Sequence, residues 1–115
     1  MTYDPSNVFA RILRREIPAP LLHDDEHCVA IRDIAPQAPL HLLVIPKAPI
    51  RSLADATADQ STLLGHLLRT GAALAQKLGH ADARLVINNG AGAGQSVFHL
   101  HVHVLAGRDL AWPPG

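Results

Sequence analysis

The stretch from Ser96 to Leu105 constrains the fold of this chain more than any other. Histidines stand at every second position, His99, His101 and His103, with Leu100, Val102 and Val104 between and after them. Successive side chains of a β-strand point to opposite faces. As a strand, this stretch puts its imidazoles on one face, at intervals of about 6.6–7 Å, and its aliphatic residues on the other. As a helix it would scatter the imidazoles around the axis and leave no apolar stripe. The valines also favour a strand. The expected result is a strand with one face packing a core and the other presenting groups that titrate near neutral pH.

The remaining segments supply partners for such a strand. Val8, Phe9, Ile12 and Leu13 form an apolar stripe after Asp4, Ser6 and Asn7, any of which can cap a short helix. Pro18 and Pro20 are expected to end it. Leu21 to Asp24 reads as a short strand and His27 to Arg32 as another. Asp33 to Pro39 is a Pro-punctuated loop. Leu40 to Ile45 is apolar except for His41, the pattern of a central strand buried on both faces. The leucines between Leu63 and Leu78 recur at helical spacing, predicting a long helix over 58–78 that Gly79 stops. Ala83 to Asn88 is a further strand. Asn89 to Gln95 is a Gly/Ala-rich loop, and the tail from Ala111 to Gly115 is too Pro-rich for helix or central strand. This order of elements predicts an α+β domain with a mostly antiparallel sheet. With 115 residues, the whole chain, 1–115, is expected to be a single domain.

Composition narrows the function. The formal net charge is zero with histidines neutral, and the aromatic residues are Tyr3, Phe9, Phe98 and Trp112. That argues against nucleic acid as a partner, which calls for a basic surface and stacking platforms. No apolar run approaches a membrane span, the N-terminus does not read as a signal peptide, and the single cysteine, Cys28, precludes an internal disulfide. A cytoplasmic protein is expected.

The histidine strand admits two chemistries. Neighbouring imidazoles on one face can ligate zinc, but the outer pair is splayed by about 13–14 Å, which disfavours a shared ion with bonds of about 2.0–2.1 Å. The other chemistry is attack on phosphorus by one imidazole, with a second stabilising charge or donating a proton. The loop Asn88-Asn89-Gly90-Ala91-Gly92-Ala93-Gly94-Gln95-Ser96, directly before the strand, can turn successive N–H groups toward an anion. It lacks the Lys-Ser/Thr of a nucleotide-binding P-loop. Strand parity alone does not place Ser96 with the histidines. Read bare, His41 is a satisfied core histidine, Asp33 a turn residue and Cys28 an apolar filler.

Several motifs then agree in order and spacing: FHLHVHVL at 98–105, REIPA at 15–19, DIAPQAP at 33–39, HLLVIPK at 41–47, GQS at 94–96 and WPPG at 112–115. Together they resemble the histidine triad (HIT) superfamily, and within it the Hint branch of histidine triad nucleotide-binding proteins. The resemblance implies the HIT fold, a five-stranded antiparallel sheet with one long and one short helix, and a homodimer that joins two such sheets into one. It implies purine nucleotide binding and hydrolysis of nucleoside 5′-phosphoramidates, with His101 as nucleophile, His103 on the phosphate and leaving-group side, and His99 and His41 in support. Asn88, Gly94, Gln95 and Ser96 correspond to the phosphate loop, and Asp33 to the carboxylate on the ribose hydroxyls. Val8, Phe9, Ile12, Ile31, Ile34 and Leu43 correspond to the base pocket, and Trp112 reaches toward the partner subunit's site. No cofactor and no metal ligand set is implied, and zinc binding by Cys28 or the histidines stays open. The loop carries Ala93 where relatives have glycine, and Ile31 replaces an aromatic residue. A nucleotide-binding scaffold with vestigial activity and a dinucleoside polyphosphate hydrolase are the alternatives.

Overall fold

The computed structural model describes residues 2–115. In chain order the elements are α1 (Val8–Leu13), β1 (His23–Asp24), β2 (Cys28–Arg32), β3 (Leu40–Pro46), α2 (Ser61–Lys77), β4 (Ala83–Val86) and β5 (Val102–Ala106), with short 3₁₀ turns at Leu53–Asp55, Ala58–Gln60 and Ala91–Ala93. The strands form one antiparallel sheet in the order β1-β2-β3-β5-β4. This is the expected α+β architecture. No described helix is long and apolar enough to cross a membrane.

β3 lies at the centre and is buried along its whole length. Its side chains alternate between two packed layers. Leu40, Leu42 and Val44 join Cys28, Ala30, Val102, Val104 and the α2 residues Leu67, Leu74 and Ala75 in one core. Leu43 and Ile45 join Val29, Ile31 and Phe9 in a second, smaller cluster on the other face. The register sets Leu43 opposite His103 and His41 opposite Leu105, so His41 and His103 share that second face.

α2 packs so closely that a Cβ at Gly71 would stand 2.9 Å from Val104 Cγ2. Its end is a Schellman turn: Gly79 adopts φ 95°, its N–H donates to the Gln76 carbonyl, and the His80 N–H donates to Ala75. α1 ends the same way without glycine. Arg15 takes φ 62°, its N–H bonds the Ile12 carbonyl, and Glu16 bonds Arg11. The helix therefore stops at Leu13, ahead of the prolines expected to end it. At its start Asn7 is the cap, its side-chain oxygen accepting from the Ala10 N–H at 2.9 Å, while Asp4 closes a turn onto Ser6.

The histidine strand is shorter than the alternation predicts. β5 begins at Val102, leaving His99 and His101 ahead of the ladder. Continued in the same register, His101 would face Ile45, Leu100 would face Pro46, and only His99 would fall beyond the end of β3, opposite Lys47. Pro46, its last residue, has no N–H to donate. The incoming chain bends to other partners, the Leu100 N–H donating to the Ile50 carbonyl at 2.7 Å and His99 Nε2 to the Pro46 carbonyl at 2.8 Å. The aliphatic half of the pattern holds, since Leu100, Val102 and Val104 all enter the α2-side core.

Candidate active site

A cavity of about 760 Å³ opens on the sheet face away from α2. α1 and the segment 17–20 form one wall, and β2 and β3 the floor through Ile31 and Leu43. Asp33, Asn88, Gly94, Ser96, His101 and His103 supply its polar lining, with Asp33 Oδ2 4.0 Å from His103 Nδ1. Of the residues tied to a base pocket by resemblance, Val8, Phe9, Ile12, Ile31, Ile34 and Leu43 all line this space, Ile34 from a fully exposed position. Ser96, whose side parity left undecided, also lines it, because residues 96–101 lie outside the regular strand.

The imidazoles are held by a chain of hydrogen bonds that assigns their protons. The His99 carbonyl accepts from His101 Nδ1 at 2.8 Å. A carbonyl accepts only, so His101 carries its proton on Nδ1, and Nε2 of the neutral ring holds a free lone pair. His41 Nδ1 accepts the Gln37 N–H at 3.0 Å. Its proton therefore sits on Nε2, which donates to His103 Nδ1 at 2.9 Å. That leaves His103 with an N–H at Nε2. Asp33 Oδ2 lies 3.4 Å from His41 Nε2 and 4.0 Å from His103 Nδ1, and Asp33 Oδ1 accepts the Ala35 N–H. The rings of His101 and His103 are 4.9 Å apart, centre to centre, and Phe9 packs edge-on against His101 at the same separation.

His99 plays a different part in this geometry. It is 1% exposed and does not line the cavity. Its Nε2 donates to Pro46, so its Nδ1 is an acceptor, and the Tyr3 hydroxyl donates to it at 2.6 Å. Asn7 Nδ2 in turn donates to the Tyr3 oxygen at 3.0 Å. One imidazole thus ties the N-terminal segment to the end of β3 and offers its own carbonyl to His101. The Tyr3 link joins residues 96 apart in the chain, and no spacing or periodicity points to it.

Burial favours uncharged rings here. It pushes the His101 and His99 pKa values down against the opposing pull of their carbonyl partners. His103 is driven to about 4, by burial first and then by the neighbouring His101 and His41, with Asp33 opposing.

Four expected site residues, His41, His99, Gln95 and Trp112, are not in the cavity lining, Trp112 being tied by resemblance to a partner's site. Gln95 does not line the cavity. Its side chain is buried behind the loop, accepting from the Gly90 N–H at 2.9 Å and donating to the Arg51 and Val97 carbonyls. It braces the turn that presents Gly94, whose φ of 97° belongs to the left-handed region. Trp112 is exposed, with Arg84 Cζ 6.0 Å from its ring centre.

The HIT domain family profile matches residues 14–110. The chain belongs to the HIT domain family. An uncharacterized HIT-like protein of Synechococcus elongatus is 56% identical over 109 residues, covering 94% of this chain and 96% of its own. A maize protein named 14 kDa zinc-binding protein is 44% identical over 115 residues, covering 97% and 90%. The crystal structure of a HIT family hydrolase from Legionella pneumophila superimposes with a TM-score of 0.92 at 45% identity, covering 96% of this chain and all of that one. The chain thus resembles a protein named a HIT family hydrolase, and the imidazole-lined cavity is its candidate active site.

Proposed function

We propose that this HIT protein hydrolyses purine nucleoside 5′-phosphoramidates through a nucleotide bonded to His101. The observation that carries the reading is the proton assignment. The ring that lines the cavity beside the glycine-rich loop has its Nδ1 proton committed to a carbonyl and its Nε2 lone pair free. In the first step His101 Nε2 bonds to phosphorus as the P–N bond breaks, and the nitrogen takes a proton from solvent and leaves as an amine. In the second, water bonds to phosphorus and gives a proton back to solvent, the bond to Nε2 breaks, and the nucleoside monophosphate departs. The neutral donors around the phosphate are His103 Nε2–H, the Ser96 hydroxyl, the Asn88 amide and the loop N–H groups, with no proton transfer needed to prepare them. Asp33 accepts from the ribose hydroxyls, and the aliphatic wall from Val8 to Leu43 takes the base. The smaller Ile31 leaves the base held by van der Waals packing rather than by stacking.

In the same reading two copies join their sheets, and Trp112, exposed in the single chain, meets the partner's cavity. Sedimentation at micromolar concentration tests this, and a monomer at all concentrations would refute it. In the same reading the protein works in the cytoplasm.

The decisive experiment is rapid quenching of the enzyme with an adenosine phosphoramidate, followed by peptide mass analysis. We expect an adenylyl group on the peptide containing His101 and, in His101→Ala, no adduct and turnover reduced by about 10⁴–10⁶-fold. Undiminished turnover in that variant would refute the mechanism. Tight purine binding without turnover of any P–N substrate would favour a nucleotide-binding scaffold. Preferential turnover of a dinucleoside polyphosphate would move the assignment to that substrate.

A further inference from the structure

On the α2 side of the sheet, away from the cavity, a second group of ligating side chains converges. His23 leaves β1, Asp25 sits in the β1–β2 turn, Cys28 opens β2 and His66 projects from α2. His23 Nε2 and His66 Nε2 lie 2.6 and 2.7 Å from the same Asp25 oxygen, Oδ2, and Cys28 Sγ lies 3.6 Å from it. The ligand atoms of His23, Asp25 and Cys28 all fall within 4.8 Å of one another. The other carboxylate oxygen accepts the backbone N–H groups of His27 and Cys28 at 2.7 and 2.8 Å, which fixes Asp25 in place.

We propose that His23, Asp25, Cys28 and His66 form a binding site for a zinc-class divalent cation. Two imidazoles, a carboxylate and a thiolate make a mixed N/O/S donor set of the kind zinc takes, with two anionic ligands to balance its charge. The sizes fit. Bonds of about 2.0 Å to nitrogen and about 2.3 Å to sulfur place tetrahedral neighbours roughly 3.3–3.7 Å apart. The Cys28–Asp25 separation already has that length, the two His–Asp25 contacts need to open by about 0.6 Å, and His66, which stands outside the group of three that lie within 4.8 Å of one another, must close on the others. The ion has a way in, because His23, Asp25 and His66 are each partly exposed while Cys28 is sealed beneath them. On binding, each neutral imidazole shifts its proton to Nδ1 to free Nε2, and the Cys28 thiol releases one proton to solvent. The site would reinforce the link that the His66–Asp25 contact already makes between α2 and the β1–β2 turn. A rival set, Asp33, His41 and His103, also gathers within 4.8 Å, but it lacks a thiolate and has one anionic ligand.

The test uses the full-length protein stripped with chelator and titrated with Co²⁺, then with Zn²⁺ in competition. We expect one ion per chain, a thiolate-to-cobalt charge-transfer band, and displacement of that band by Zn²⁺. Cys28→Ser should abolish the band. His66→Gln and His23→Gln, at partly exposed positions, should each weaken binding by more than the roughly 10–100-fold that loss of an outer-shell partner costs. If Cys28→Ser does not fold, the two histidine variants decide alone. No stoichiometric binding, binding without the charge-transfer band in the unaltered protein, or unchanged affinity in both histidine variants would each overturn the site.

Discussion

The face of the sheet that meets α2 and the face that carries the imidazoles are built by the same strands and stabilised by different means. On the α2 side, Leu42, Val44, Val102 and Val104 are fully buried against the helix, and close packing excludes water. On the other side only a six-residue helix and a loop cover the sheet, and a large cavity remains. There the buried polar atoms, not the aliphatic ones, must be accounted for. Each imidazole nitrogen turned into the protein has a partner: Pro46 and Tyr3 for His99, the His99 carbonyl for His101, Gln37 and His103 for His41. Among the described residues no buried side-chain nitrogen or oxygen lacks a hydrogen bond. One face carries stability through area, and the other carries chemistry through fixed proton positions.

Neighbouring residues on β3 offer the sharpest way to break this comparison. Leu42 faces α2 and Leu43 faces the cavity. Leu42→Ala should cost about 2–5 kcal/mol, because its closely packed surroundings collapse only partly into the space left. Leu43→Ala enlarges a cavity that already exists, so it should cost less while weakening nucleotide binding. Chemical denaturation of both variants measures the difference, and equal losses would show that the cavity face is packed as tightly as the other.

Acid should act next most strongly, and on the cavity face. His99, His101 and His103 are all depressed in the folded protein, His103 from 6.5 to about 4. Between those values the unfolded chain binds protons that the folded one refuses, so stability falls as pH drops from 6.5 toward 4, and the His103 part of the loss levels off below. His103 alone contributes about 3 kcal/mol to that loss. Asp25 belongs to a lower window. Burial would raise its pKa, but hydrogen bonds from His23, the His27 N–H, His66 and the Cys28 N–H outweigh it and hold the carboxyl well below the usual range. Denaturation midpoints that stay flat from pH 6.5 to 4 would contradict the histidine assignment. The acid limb of kcat/KM should likewise lie below the ordinary histidine range.

Gly71→Ala probes the closed face from the helix side. The added methyl meets Val104 Cγ2 at 2.9 Å. Overpacking costs about 1–3 kcal/mol, partly offset by roughly 1 kcal/mol of helix propensity. A net loss is expected, and a stabilised variant would mean that α2 can shift outward freely.

These two faces were unequally legible in the sequence. Everything that rests on periodicity reads directly: the leucine stripe of α2, its Gly79 stop, the doubly buried β3, and the aliphatic half of the histidine segment. The failures share a cause. Ladder pairing decides where a strand begins, and alternation carries no record that the β3–β5 ladder stops at Val44 and Val102, so a histidine strand starting before Val102 is what the pattern predicts and not what forms. The left-handed turn at Arg15 has no glycine to announce it. Gln95 reads as a ligand-facing loop residue and folds inward, because a side-chain amide can satisfy the loop's own backbone groups. The link from Tyr3 to His99, and the approach of His66 to Asp25, join residues far apart in the chain that come together only in the fold.

That Tyr3 link gives the smallest expected effect and a fine discrimination. Tyr3→Phe keeps the ring that packs edge-on against His99 and removes the one donor to its Nδ1. Stability should fall by about 1 kcal/mol. If Tyr3 serves only to anchor the N-terminal segment, nothing else changes. If it also positions the catalytic histidine, the His99 ring gains freedom to rotate away from Pro46, and the carbonyl that orients His101 moves with it. Under the proposed mechanism kcat then falls several-fold while KM holds, since His99 does not line the cavity and the nucleotide contacts are untouched. Asn7→Ala removes the hydrogen bond to the Tyr3 oxygen and also the cap of α1, so it should destabilise as much or more while leaving the Tyr3–His99 bond in place. A kcat loss in Tyr3→Phe that Asn7→Ala does not reproduce separates positioning from anchoring. A parallel fall in both would assign the whole effect to the N-terminal segment.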